Sequence, residues 1–152
     1  MNQRKTGSVG EKIIRRMLTA QNVRFIFDSP ISFAFTTYPA ELSRKRFDFV
    51  LINEDHVPVA CIEYDGQQHY EPNWYGRSIN EFKQACDSDS LKTAFCENIN
   101  LPLLRIRYDQ NDFIEDIVSE FLLHPRRFVK KHNPEISNKD YFAPRNKFLQ
   151  TC

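Results

Sequence analysis

The sequence predicts an α/β fold, a mixed β-sheet flanked by helices, and three observations carry that expectation. Residues 46–52 (Arg-Phe-Asp-Phe-Val-Leu-Ile) and 57–64 are apolar on both faces apart from isolated acids, the pattern of strands covered on both sides. The polar turn Asn53-Glu54-Asp55-His56 between them implies a hairpin. A helical segment then separates the second strand from a third apolar run, Leu103 to Tyr108, and a strand–helix–strand path implies a right-handed crossover with those two strands parallel.

In chain order, Ser8 with Glu11 forms a capping box, and Val9, Ile13, Ile14, Met17 and Leu18 recur at helical spacing, so a first helix is expected over about residues 9–21. Val23 to Phe27 and Ile31 to Phe35, on either side of the turn signal Asp28-Ser29-Pro30, read as one or two strands. The hairpin follows and ends at Asp65-Gly66. Residues 67–77 are polar and aromatic without a period and read as a loop, the kind of segment beside a sheet that carries function. Ser78 with Glu81 opens a helix to about Asn98, with Ile79, Phe82, Ala85, Cys86, Ala94 and Phe95 as its apolar face. Asp112 and Glu115 are expected to cap a last helix that buries Ile114, Ile117, Val118, Phe121 and Leu122 and ends at Pro125.

The chain has 152 residues, enough for one core domain, expected over residues 1–125. A formal net charge of +1 does not by itself announce a polyanionic partner. The distribution is uneven. From His124 to Cys152 there are seven Lys or Arg (Arg126, Arg127, Lys130, Lys131, Lys139, Arg145, Lys147) against Glu135 and Asp140, interleaved with Phe128, Tyr141, Phe142 and Phe148. Residues 126–152 thus form a basic, aromatic extension packed on or next to the core, suited to phosphate neutralisation and base stacking, or else a solvated tail with anchoring aromatics. The four cysteines show no metal-binding spacing, which argues against structural zinc. The start of the chain has no apolar signal region and no stretch reaches membrane-spanning length, so a cytoplasmic protein without a membrane partner is expected.

Strand side chains alternate with period two, so Glu63 and Asp65 share a face, and Asp48 on the partner strand is close enough for three acids to meet at one end of the sheet. Clustered carboxylates repel unless a cation neutralises them, and oxygen ligands select Mg²⁺, with Mn²⁺ as a substitute. Such a centre at Asp48, Glu63 and Asp65 suits phosphodiester hydrolysis; for each acid alone a strand-end salt bridge is the competing account. His69, four residues after Asp65, is either an acid–base group or an inert loop histidine. Arg105 and Arg107 alternate with Leu104 and Ile106 and so project from one face, toward a phosphate backbone or along a sheet edge. Trp74 stacks on a base or anchors its loop.

The residues Arg46-Phe47-Asp48-Phe49, Ile62-Glu63-Tyr64-Asp65-Gly66-Gln67-Gln68-His69-Tyr70, Asp89-Ser90-Leu91-Lys92 and Leu103 to Tyr108 together resemble the PD-(D/E)XK nuclease superfamily, and within it the very-short-patch-repair-like and EDxHD phage homing endonucleases. The similarity runs from about residue 8 to 108. It implies a three-layer restriction-endonuclease-like core and a metal-dependent DNA endonuclease of phage or mobile-element origin, in host cytoplasm, with a homodimer possible. It also implies Glu11 and Asp48 as the leading acids, Glu63 or Asp65 at the third-strand position, His69 as the histidine and Asp89 as the closing aspartate, with Gln67 and Lys92 in support. Asp65 stands where the superfamily commonly has a lysine, which leaves His69 or Lys92 as substitute base. Glu11 has its cap role as an alternative, and Asp89 with Lys92 a surface ion pair. Two other functions remain open on the same scaffold: a nucleic-acid-binding protein without turnover, and a ribonuclease.

Overall fold

The computed structural model describes residues 7–67, 76 and 78–129. Within them the chain runs α1 (Val9–Ala20), β1 (Phe25–Pro30), a single helical turn α2 (Ile31–Ala34), β2 (Arg46–Ile52), β3 (Pro58–Asp65), α3 (Ile79–Asn98), β4 (Leu103–Arg107) and α4 (Ile114–Leu123). His69, Trp74, Lys130, Lys131 and most of the C-terminal extension lie outside the described residues. The four strands form one sheet in the order β1-β2-β3-β4. The first two pairings are antiparallel and β3–β4 is parallel, so the sheet is mixed and the fold is α/β, as the strand–helix–strand path requires.

Period two divides the buried residues between two apolar clusters, one on each side of the sheet. Phe49, Leu51, Ala60, Ile62, Tyr64, Leu104 and Ile106 meet Ile14 and Leu18 of α1 and Ile114, Val118 and Phe121 of α4. On the other side Val50, Cys61 and Leu103 meet Phe95 and Cys96 of α3, together with Ile31, Leu42 and Phe47. Helices therefore flank both faces. No helix among the described residues is long and apolar enough to cross a membrane.

Ser8 accepts from the Glu11 amide at 3.2 Å and Ser78 from that of Glu81 at 3.1 Å, so both predicted N-caps form. Three expectations are corrected. There is one strand before the hairpin, not two: Asp28-Ser29-Pro30 is not a turn but the end of β1, paired with β2 despite the positive φ of 52° at Asp28, and Pro30 leads directly into the α2 turn. Asp112 does not cap α4, because Tyr108–Phe113 winds as a 3-10 helix whose Gln110 side chain caps the Arg107 amide, and the α4 N-cap is Phe113. Val9 and Ile79 point outward, at 68% and 65% exposure, each lying in the first turn of its helix beyond the edge of the core.

Gly10 brings α1 down onto the sheet. A Cβ there would stand 2.1 Å from the Tyr64 ring, so no larger residue permits this approach, and it places the start of α1 over the end of β3 that carries the acids.

Candidate functional site

The β2–β3 ladder pairs Phe49 with Ile62, so the next residues in register, Asp48 and Glu63, stand opposite each other. There side chains take over from the ladder. The Asp48 amide donates to Glu63 Oε2 at 2.9 Å, and the Tyr64 amide donates to Asp48 Oδ2 at 2.8 Å. Each carboxyl group is thus inserted between the strands and held by the amide of the opposite one, satisfying backbone groups that the parted strands would otherwise leave unpaired.

Two cations answer the acids. Lys92 Nζ, on the sheet-facing side of α3, donates to Glu63 Oε1 at 2.7 Å and sits 5.6 Å from the centre of the Phe47 ring. Arg105, in register with Glu63 on β4, donates to Asp65 Oδ1 at 3.2 Å and to the Asp89 carbonyl at 2.8 Å, and also engages Thr93 Oγ1. This one guanidinium ties β4, the end of β3 and the middle of α3 together. Glu63 and Asp65 are only 3% and 5% exposed, a depth at which unpaired carboxylates would cost several kcal/mol.

The electrostatics follow from this geometry. Burial, and then the Glu63 carboxylate beside it, push Asp48 well above its ordinary value, and Glu11 adds to the effect from the first turn of α1. Burial works to raise Glu63 as well, but Lys92 and Arg105 outweigh it and hold Glu63 below its ordinary value. Burial would lower Lys92, yet Glu63 more than offsets it and Lys92 is raised, so it keeps its proton. Arg105 is raised in the same way, by Asp65 first and then Asp89. Glu63 takes the ammonium and Asp65 the guanidinium, so Asp48 is the carboxyl left without a cation and is driven toward its neutral, protonated form.

The sequence-predicted residues fall into three groups. Asp48, Glu63, Asp65, Asp89, Lys92 and Arg105 converge at one end of the sheet, on the α3 side. Glu11 faces the same end from α1, close enough to act on Asp48, and Gln67 lies just past β3. The remaining basic residues lie apart. Arg107 pairs with Asp109 at 3.0 Å. Arg126 donates to the Asn100 carbonyl at 2.9 Å, in the turn before β4 and so at the opposite end of the sheet, with Arg127 next to it in the chain. Neither Arg105 nor Arg107 projects from a bare strand face, because α3 covers the one and the 3-10 turn the other.

The three-carboxylate centre expected at Asp48, Glu63 and Asp65 is not formed: among the described residues no three His, Cys, Asp or Glu side chains are placed to hold one metal ion. Asp65 points to Arg105 instead. The remaining pair, Asp48 and Glu63, fits a Mg²⁺ ion of the kind that takes one or two carboxylates and fills its other positions with water and substrate phosphate.

Sequence reasoning missed the structural work of Arg105 and Thr93. A signal existed: an arginine at the centre of an apolar strand needs buried acceptors, and α3 is the element that supplies them.

No curated protein and no solved structure matches the chain. Residues 36–123 match the family described as "Protein of unknown function (DUF2726)". That span runs from just before β2 through α4 and takes in every member of the converged cluster, and because it is more than half of the sequence, the chain belongs to this family.

Proposed function

We propose that the chain is a metal-dependent endonuclease that hydrolyses DNA phosphodiester bonds, on a fold of the PD-(D/E)XK kind. The observation that carries this reading is the Asp48–Glu63 pair, two carboxyls inserted between parting strands with a single ammonium, 2.7 Å from Glu63, to answer them. A hard divalent cation is the natural counter-charge, and when bound it would polarise the phosphodiester and activate water. Asp48 and Glu63 hold that position, with their free lone pairs directed by the backbone amides. Lys92 keeps its proton, so its part is to neutralise charge that develops on the phosphate rather than to accept a proton. Asp65 is fixed by Arg105, and Glu11 borders the pair from α1.

The test is incubation of the purified protein with supercoiled plasmid, single-stranded DNA and RNA in Mg²⁺, Mn²⁺ or EDTA. The expected result is Mg²⁺-dependent DNA cleavage that EDTA and Asp48→Ala both abolish. Cleavage confined to RNA replaces the substrate with RNA. Both Glu63 oxygens are already engaged, by Lys92 and by the Asp48 amide, and this favours a second reading, a nucleic-acid-binding protein without turnover. DNA binding with no cleavage under any metal would establish that one and overturn the first.

A further inference from the structure

The helix α1 is divided lengthwise. Ile14 and Leu18 are buried against the sheet, while Lys12, Arg15, Arg16 and Thr19 are exposed and fall on the opposite stripe at i, i+3, i+4 and i+7. Glu11 is the single acid of the helix and sits at the border between the two stripes. None of the three cations makes a salt bridge among the described residues, whereas Lys92, Arg105 and Arg107 each do. Together with Ala20 the stripe lines a shallow depression of about 440 Å³. Arg15 is also held in place, its guanidinium 4.8 Å from the centre of the Phe27 ring on β1.

The placement of this stripe is as informative as its charge. It begins one residue after Glu11, on the opposite face of the sheet from α3 but at the same end as Asp48 and Glu63, and runs toward the far end. From Lys12 to Thr19 a helix rises about 10 Å. One DNA strand carries a phosphate roughly every 3.4 Å of axis, so the stripe spans about three of them. It also lies in α1, before residue 36, and so outside the stretch matched to the family.

We infer that the outer face of α1 is the dock for the phosphate backbone of duplex DNA beside the reacting phosphodiester, with Lys12, Arg15 and Arg16 as the contacts. This rests on the nuclease reading of the neighbouring site. Arg126 is no part of this dock, because it is engaged at the opposite end of the sheet.

The test measures duplex-DNA affinity of the full chain in EDTA across 50–200 mM salt, where no cleavage intervenes. Wild type is compared with the triple variant Lys12→Gln/Arg15→Gln/Arg16→Gln, and with Arg126→Gln/Arg127→Gln. Circular dichroism checks that each variant is folded. Losing three phosphate contacts lowers the slope of log affinity on log salt by about 2.7, so the wild type loses about 40-fold more affinity than the triple variant over that range. An unchanged slope in the triple variant, a loss that follows Arg126 and Arg127 instead, or no DNA binding by the wild type overturns the dock. So does equal binding to phosphatidylserine vesicles with the same α1 dependence, which makes the stripe a general anion surface. Binding that depends on α1 without any Mg²⁺ cleavage refutes the nuclease reading and leaves the dock standing. Cleavage with no α1 dependence does the reverse.

Discussion

The two faces of the sheet are built from the same strands and do opposite things. Toward α1 and α4, β3 presents Ile62 and Tyr64 and β4 presents Leu104 and Ile106, and every buried member of that cluster is hydrophobic. Toward α3 the same strands present Cys61, Glu63 and Asp65, then Leu103 and Arg105, so the apolar layer gives way partway along to a network of ion pairs. The difference teaches where stability and chemistry reside. The first face contributes apolar burial with no charge to satisfy, and the second keeps charges in low dielectric where each depends on its partner.

The contrast is broken most severely by removing one ion. Lys92→Met leaves Glu63 buried without its ammonium, and should cost about 3–5 kcal/mol in urea unfolding. The double variant Lys92→Met/Glu63→Gln should recover much of that loss, as a neutral pair needs no counter-charge; equal loss in both would show that Lys92 acts through packing alone. On the apolar face, Gly10→Ala drives a methyl group into the Tyr64 ring, and should cost about 1–3 kcal/mol with little change in pH dependence.

Acid titration sharpens the comparison further. Asp48 is raised above its ordinary value of 3.8, so its share of stability is fully present below that pH and is lost as the pH rises through the folded value. Glu63 is lowered from 4.5; its share is present above that pH and lost as the pH falls through the folded value. Metal-free Asp48→Asn should therefore lose less stability than wild type between acid and neutral pH, while losing all Mg²⁺-dependent cleavage. A pH profile of stability identical to wild type would place Asp48 outside the unbalanced pair. The smallest effect belongs to the exposed edge. Arg46 pairs with Asp28 at 2.8 Å, but both side chains are about half exposed, at 51% and 49%, and Arg46→Ala should cost under about 1 kcal/mol and less in high salt.

Much of this arrangement was legible in the residues. The hairpin, the crossover helix, both serine caps and the shared face of Glu63 and Asp65 follow from periodicity and turn chemistry, which act over a few residues. Residues 28–35 misled because Asp28-Ser29-Pro30 suits a turn and 31–35 a strand, whereas β1 runs on through Pro30, paired with β2, and only then bends into the α2 turn. The basic stripe on α1 was hidden for a different reason. Counting charge along the chain favours the C-terminal extension, and only folding shows that α1 buries Ile14 and Leu18 and leaves Lys12, Arg15 and Arg16 exposed together at the acidic end of the sheet.

The sequence alone determined which side chains alternate, which helices have caps and that acids stand in apolar strands, because those properties depend on local geometry. Tertiary structure decided which cation each acid meets: Lys92 reaches Glu63 across 29 residues and Arg105 reaches Asp65 across 40. Such pairings depend on how α3 lies across the sheet, and charge in a buried site is governed by neighbours in space rather than along the chain.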